Sequence, residues 1–415
     1  MYLPGYYEFS ASVTVVSGHH GLEEIPGELR KLGASKPFIV TDQGVTSAGL
    51  LDIVTDSIRD GVDIGGIADD IPQDSDIRII SSLAGVYRER GCDSLIALGG
   101  GSVIDTAKGI NIVVSENTDD LAKFSGAGRL KRALKPLIVI PTTAGTGSET
   151  TAVAVIADRE RKRKMLFVSY FLVPDVAILD PRMTVSLPPA MTAATAMDAL
   201  CHAVEASICL AKNPLSDSAA RTAIELISGN LLKVINNPGD SAGRIALANA
   251  ATLAGMAFSN SMVGMVHTLG HSVGSVCGVP HGVAMSILLP YGLEYNMHRV
   301  GHFIADLLFP LAGAEIFTRT PKHFRAERVV TFIRALNQDL HNATGGRHAR
   351  CFREVLGRDS ASMVAREKFP DIARTALGDG SLFYNPEDMD YDDMLMVMEA
   401  AWEGVPLDRG LIKRG

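Results

Sequence analysis

The sequence predicts two domains of different class, an α/β domain over residues 1–185 and an all-α domain over residues 186–415. Three observations predict this. Up to residue 181, short β-branched runs alternate with polar stretches of helical period, the pattern of a doubly wound α/β sheet. After LDPRMTVSLPP (179–189), Ala, Leu and Met dominate and strand-like runs nearly vanish. At 415 residues the chain is also too long for one ordinary core.

The elements follow in order. PFIVTD (37–42), SLIALGG (94–100), PLIVIPTT (136–143), AVAVIAD (152–158) and VAILDP (176–181) read as strands. The first three are short apolar runs ending in Asp, Gly or Thr, as buried strands of an α/β sheet do. DIRIISSLAGVYRERG and SVIDTAKGINIVVSEN, on either side of the second strand, have helical spacing. So do MTAATAMDALCHAVEASICLA, SDSAARTAIELISGNLLKVI and AERVVTFIRALNQDL in the second half. HNATGGRHARCFREVLGRD, around 340–360, reads as a connection. Residues 245–266 are uncharged over the length of a membrane span, but Asn249, Ser259, Asn260 and Ser261 interrupt them. Their small residues suit tight helix packing, so a buried core helix is expected and no membrane partner.

Composition narrows the function. Lys plus Arg number 39 against 47 Asp plus Glu, a net charge of −8, which argues against nucleic acid as a partner. The five cysteines (Cys92, Cys201, Cys209, Cys277, Cys351) contain no C-x-x-C pair, as expected of a reduced, cytoplasmic protein. MYLPGYYEFS has neither a basic n-region nor an apolar h-region, so no signal peptide is expected.

GGGSVIDTAK (99–108) follows a strand and opens a helix. Consecutive glycines let backbone N–H groups approach a phosphate, and a helix N-terminus favours its charge. The turn is neither a Rossmann fingerprint, since Ile104 stands where a third glycine is required, nor a Walker A loop. PTTAGTGSETT (141–151) adds hydroxyls after another strand, and two such loops at strand ends point to a ligand in a crevice. Asp42, closing its strand, stands where a carboxylate accepts from ribose hydroxyls and repels a 2′-phosphate; a lone Asp there is also a common helix cap.

GMVHTLGHSVGSVCGVPHGVA (264–284) holds three of the chain's eleven histidines, His267, His271 and His281. An anionic partner lies upstream in DALCHAVEA (198–206), where Asp198 and His202 stand at i, i+4 on one helix face. With two of the three downstream histidines they make one carboxylate and three imidazoles, a set for Fe²⁺ or Zn²⁺. Spacing does not choose among the three.

Together GGGSVIDTAKGI, PTTAGTGSE, MDALCHAVEA, VHTLGHSVGSVCGVPHG and LFYNPEDMDYDDMLMVMEAAW resemble the iron-containing (group III) alcohol dehydrogenase family, over most of the chain and least around 300–360. The resemblance implies the dehydroquinate synthase-like fold, with an N-terminal nucleotide-binding domain, a helical C-terminal domain and a cleft between them. It implies Asp198, His202, His267 and His281 as metal ligands, leaving His271 unliganded beside the nicotinamide as the catalytic proton relay. Cofactor contacts carried over by motif are Asp42, Gly99, Gly100, Ser102, Asp105, Thr142, Thr143, Thr146 and Lys164. The implied activity is NAD-dependent (rather than NADP-dependent) interconversion of a small alcohol and its aldehyde or ketone, by a homodimer or larger assembly. A hydroxyacid–oxoacid transhydrogenase or a polyol dehydrogenase on the same fold is the alternative. Two departures stand out: IPQDSD (71–76) replaces a common Asn-Pro on the adenosine side, and Ala196-Met197 replaces the usual glycine before the ligand-bearing Asp.

Overall fold

Nine strands, numbered in chain order among the described residues, make two sheets. The computed structural model describes residues 3–73, 76–161, 163–357 and 360–412. A six-stranded parallel sheet contains β1 (Thr14–Ser17), β2 (Pro37–Val40), β3 (Gly66–Ala68), β4 (Ser94–Gly99), β6 (Leu137–Pro141) and β9 (Val176–Leu179), in the order β1-β9-β6-β4-β2-β3. A three-stranded sheet holds β5 (Gly126–Ala127), β7 (Val153–Asp158) and β8 (Arg163–Val168). Four of the five expected strands lie in the parallel sheet. AVAVIAD becomes β7, which pairs antiparallel with β8. β8, which carries Lys164, is not among the strands expected from the sequence. Met165 and Phe167 are buried while Leu166 is exposed, so a period of two is present but masked by the basic residues beside it.

Both faces of the parallel sheet are covered, because alternate side chains along each buried strand feed two different cores. Phe38, Val40, Leu95, Ala97 and Val139 pack with residues of α4 (Ile77–Glu89) and α5 (Gly101–Ser115). Ile39, Ile96, Leu98, Ile138 and Ile140 pack on the other face with α1 (Ile25–Lys31), α2 (Gln43–Ser47) and α3 (Leu50–Ile58). Near-continuous apolar strands are what such double coverage requires.

The chain divides into two compact units: Ser10–Leu187 with Gly239–Ser259, and Pro188–Pro238 with Asn260–Gly415 and Met1–Phe9. The remaining helices are α6 (Pro189–Ile208), α7 (Pro214–Asn236), α8 (Ser241–Ser259), α9 (Met265–Cys277), α10 (His281–Asp306), α11 (Leu308–Arg319), α12 (Arg325–Ala343), α13 (Phe369–Ala376) and α14 (Tyr391–Glu403). All but α8 belong to the second, helical unit. α8 packs with the α/β unit for a local reason. A Cβ on Gly147 (φ +63°) would stand 2.6 Å from Gly255 Cα, so two glycines let loop and helix backbones touch. Thr252 then donates to Glu149 Oε1 at 2.7 Å. The uncharged stretch 245–266 is broken between α8 and α9, and among the described residues no single helix is long and apolar enough to cross a membrane.

Candidate metal centre and dinucleotide cradle

The helical unit brings Asp198, His202, His267 and His281 together. Asp198 and His202 lie one turn apart on α6, His267 lies in the first turn of α9, and His281 is the first residue of α10. Glycines permit the convergence. A Cβ on Gly282 would lie 2.3 Å from the Ala194 carbonyl oxygen of α6, and one on Gly270 would lie 1.9 Å from Met285 Cε of α10. One donor atom from each of the four residues lies within 4.8 Å of all the others. Asp198 Oδ1 stands 3.2 Å from His281 Nε2, 3.8 Å from His267 Nε2 and 4.0 Å from His202 Nε2. The first three residues are buried, whereas the His281 side chain is 40 % exposed and leaves one side of the cluster open.

The electrostatics suit a cation. Burial alone would raise the Asp198 carboxyl, but the surrounding imidazoles of His202, His281 and His267 outweigh it and hold it well below the carboxylate range. Burial pushes His202 down to about 3 and His267 well below its ordinary value, so both rings are neutral at pH 7. His267 Nε2 is buried and has no hydrogen-bond partner among the described residues. A buried lone pair left unmatched costs about 1–3 kcal/mol. A carboxylate and three neutral imidazoles whose donor atoms meet at one point form a donor set for a divalent transition metal.

His271 stands outside that set. Its ring stacks on His281 (centroids 5.4 Å apart, 16° between planes) and is 44 % exposed. Its Nδ1 lies 2.9 Å from Asp379 Oδ2. Two carboxylates at these histidines were missed from sequence. Asp379 comes from the turn after α13. Glu205, on α6 within the quoted MDALCHAVEA, lies 2.5 Å from His267 Nδ1 and also accepts from the backbone N–H of Val266 at 2.8 Å and of His267 at 3.3 Å. Its position three residues past His202, on the same helix, was the available signal.

In the α/β unit, the carboxyl ends of β2, β4 and β6 lie side by side. They carry Asp42, the glycine turn and the 142–151 loop. Gly100 is the N-cap of α5 without a side-chain cap, so the first-turn N–H groups are not claimed by one. A Cβ on Gly101 would lie 3.1 Å from Thr146 Cγ2, and one on Gly100 would lie 3.5 Å from Thr143 Oγ1. Thr142 N donates to Gly99 O at 3.1 Å. Thr142, Thr143 and Thr146 thus stand beside the backbone of Gly99, Gly100 and Gly101, so hydroxyls border the glycine turn at the start of α5.

The other expected contacts take different positions. Asp42 caps α2, its Oδ1 accepting from Val45 N at 3.0 Å. Asp105 turns to β7 and accepts from Val155 N at 3.0 Å; burial lifts its carboxyl to about 6 against the opposing charges of Lys108 and Lys164. Lys164 is exposed on β8. Asp74 and Ser75 of IPQDSD lie outside the described residues. Lys108, unremarked in the sequence, is fully buried and donates to Thr151 O and Val153 O, each at 2.8 Å, anchoring the end of the loop to α5.

Residues 12–181 match the family described as "Iron-containing alcohol dehydrogenase", and residues 192–402 match "Fe-containing alcohol dehydrogenase family, C-terminal". The chain is 34% identical to the NAD-dependent methanol dehydrogenase of Bacillus methanolicus over 86% of its own length and 92% of the relative's. It is likewise 34% identical to the 1,3-propanediol dehydrogenase of Klebsiella pneumoniae, over 93% and 96% of the two chains. The structure of an alcohol dehydrogenase from Oenococcus oeni superposes with a TM-score of 0.88 at 32% identity, covering 96% of this chain and 100% of that one. With both halves matched in order, the chain belongs to the iron-containing alcohol dehydrogenase family and is an oxidoreductase of alcohols.

Proposed function

We propose that this chain uses NAD to interconvert a small alcohol and its aldehyde or ketone, with a divalent metal held by Asp198, His202, His267 and His281. The observation that carries this reading is His267 Nε2, a buried nitrogen with no hydrogen-bond partner among the described residues, 3.8 Å from the ionised Asp198 Oδ1. Fe²⁺ is proposed first and Zn²⁺ second, since one carboxylate and three imidazoles accept either. A cation bound there supplies Lewis acidity that lowers the pKa of an alcohol hydroxyl, and NAD supplies the hydride acceptor.

The chain's own residues do the rest. The turn at Gly99 and Gly100 with Ser102, and the loop bearing Thr142, Thr143 and Thr146, hold the pyrophosphate. Asp42 accepts from the adenosine ribose and disfavours a 2′-phosphate. Lys164 is assigned to the nicotinamide ribose, and Asp105 supports the cradle from behind through β7. His271, half-exposed and outside the ligand set, takes the hydroxyl proton during oxidation and returns it during reduction. Residues 1–185 thus act as the dinucleotide-binding domain and 186–415 as the metal-binding domain. A methanol and a propanediol dehydrogenase among the relatives favour this reading over the transhydrogenase. Five free cysteines support a reducing, cytoplasmic setting, and a homodimer or larger assembly completes the proposal.

The test is NADH release by protein reconstituted anaerobically with Fe²⁺, beside a Zn²⁺-loaded sample, against primary alcohols, diols and hydroxy acids. Metal-dependent release is expected. Binding of NAD and metal without any release would move the assignment to the transhydrogenase.

A further inference from the structure

His271 carries the proton only if the right ring nitrogen is free to take it. A neutral imidazole bears one N–H, and the partner of one nitrogen decides which. In free histidine the proton prefers Nε2, which would leave the lone pair at Nδ1, where Asp379 stands. Asp379 Oδ2 lies 2.9 Å from His271 Nδ1, and a carboxylate can only accept there. Its other oxygen, Oδ1, accepts from Ser381 N at 2.8 Å and caps the turn Gly380–Tyr384. The carboxylate is therefore fixed at both oxygens. The ring is further held by stacking on His281 and by an edge contact with His267, centroids 5.7 Å apart. The imidazole can neither flip nor exchange tautomers without breaking one of these contacts.

We infer that Asp379 is the positioning residue for His271: it keeps Nδ1 as the N–H and so makes Nε2 the atom that accepts the substrate proton. This rests on the proton-relay reading of His271. During oxidation the hydroxyl proton passes to Nε2, the ring carries the positive charge stabilised by Asp379, and the proton leaves to water. The reverse reaction returns it by the same nitrogen. Asp379 touches no reacting atom and acts only through the ring.

Asp379→Asn separates this role from capping. An asparagine still offers one oxygen to Ser381 N, but turns its amide N–H₂ toward His271 Nδ1 and favours the Nε2–H tautomer. The experiment records ¹⁵N spectra of histidine-labelled, Zn²⁺-loaded protein, with the His271 signals identified by their loss in His271→Ala. The wild type should show Nδ1 protonated and Nε2 bare, and Asp379→Asn the reverse. In steady-state kinetics Asp379→Asn should lose about 10–100-fold in kcat with the alcohol KM changed less than about twofold. A wild-type Nε2–H tautomer, or an Asp379→Asn enzyme as fast as wild type while His271→Ala is slow, overturns the inference and leaves the relay reading standing. If His271→Ala keeps full kcat, the relay reading falls and this inference with it.

Discussion

Glu205 Oε2 lies 2.5 Å from His267 Nδ1, with both groups buried on facing segments of the helical unit. The contact fixes the Nδ1–H form of His267 and points Nε2 at Asp198. Burial pushes the Glu205 carboxyl up to about 7, and the backbone N–H groups of Val266 and His267 work against that rise. Its two oxygens face three nitrogens, Val266 N, His267 N and His267 Nδ1.

Glu205→Gln keeps the size of the side chain but replaces one acceptor oxygen with a donor. Either Val266 N or His267 must then face an N–H₂ group. The expected result is a loss of about 10–100-fold in metal affinity, the usual cost of removing a carboxylate behind a ligating histidine. Competition with a chelator measures it, and an unchanged affinity would deny Glu205 this role.

Asp42 has two tasks that one substitution can separate. Asp42→Ser keeps a side-chain oxygen to cap α2 and removes the charge. The kcat/KM ratio for NADP over NAD should rise about tenfold or more, about 1.4 kcal/mol for a relieved like-charge contact near the surface. A ratio that stays put would leave Asp42 as a cap alone.

His348 gives a stability prediction away from both sites. It is 3 % exposed and contacts Ser286 Oγ at 3.0 Å on α10. Burial, and then the neighbouring His341, push it down to about 4 from 6.5, against the pull of Glu354. Between those values the unfolded chain takes up a proton that the folded chain does not. Stability therefore rises with pH across the window and is lost as pH falls from 6.5 toward about 4, on the order of 3 kcal/mol in total. Chemical denaturation of His348→Gln should show a shallower pH dependence there; an identical slope would remove His348 from the account.

The strands and the metal-site candidates were legible because their signals are local. A buried strand shows as a short apolar run, and Asp198 with His202 shows as an i, i+4 pair. What was not legible depends on partners far along the chain. Glu205 meets the backbone 61 residues on, and Asp379 meets His271 across 108. Spacing put His271 on a par with His267 and His281; the resemblance set it apart, and in the structure its nitrogens lie outside the four-donor cluster. Asp105 was set among the cofactor contacts by the resemblance; that its Oδ2 accepts from Val155 N, 50 residues on, no local signal shows. β8 was hidden because basic residues obscure a period of two when only one face is buried.

The role of His271 depends on which histidines hold the metal. Elemental analysis of anaerobically Fe²⁺-loaded wild type, His281→Ala and His271→Ala, each checked for native unfolding behaviour, decides it. One ion per chain in the wild type and in His271→Ala, with none retained in His281→Ala, is the predicted result. Metal kept by His281→Ala and lost by His271→Ala would contradict the ligand set, and with it the role given to His271.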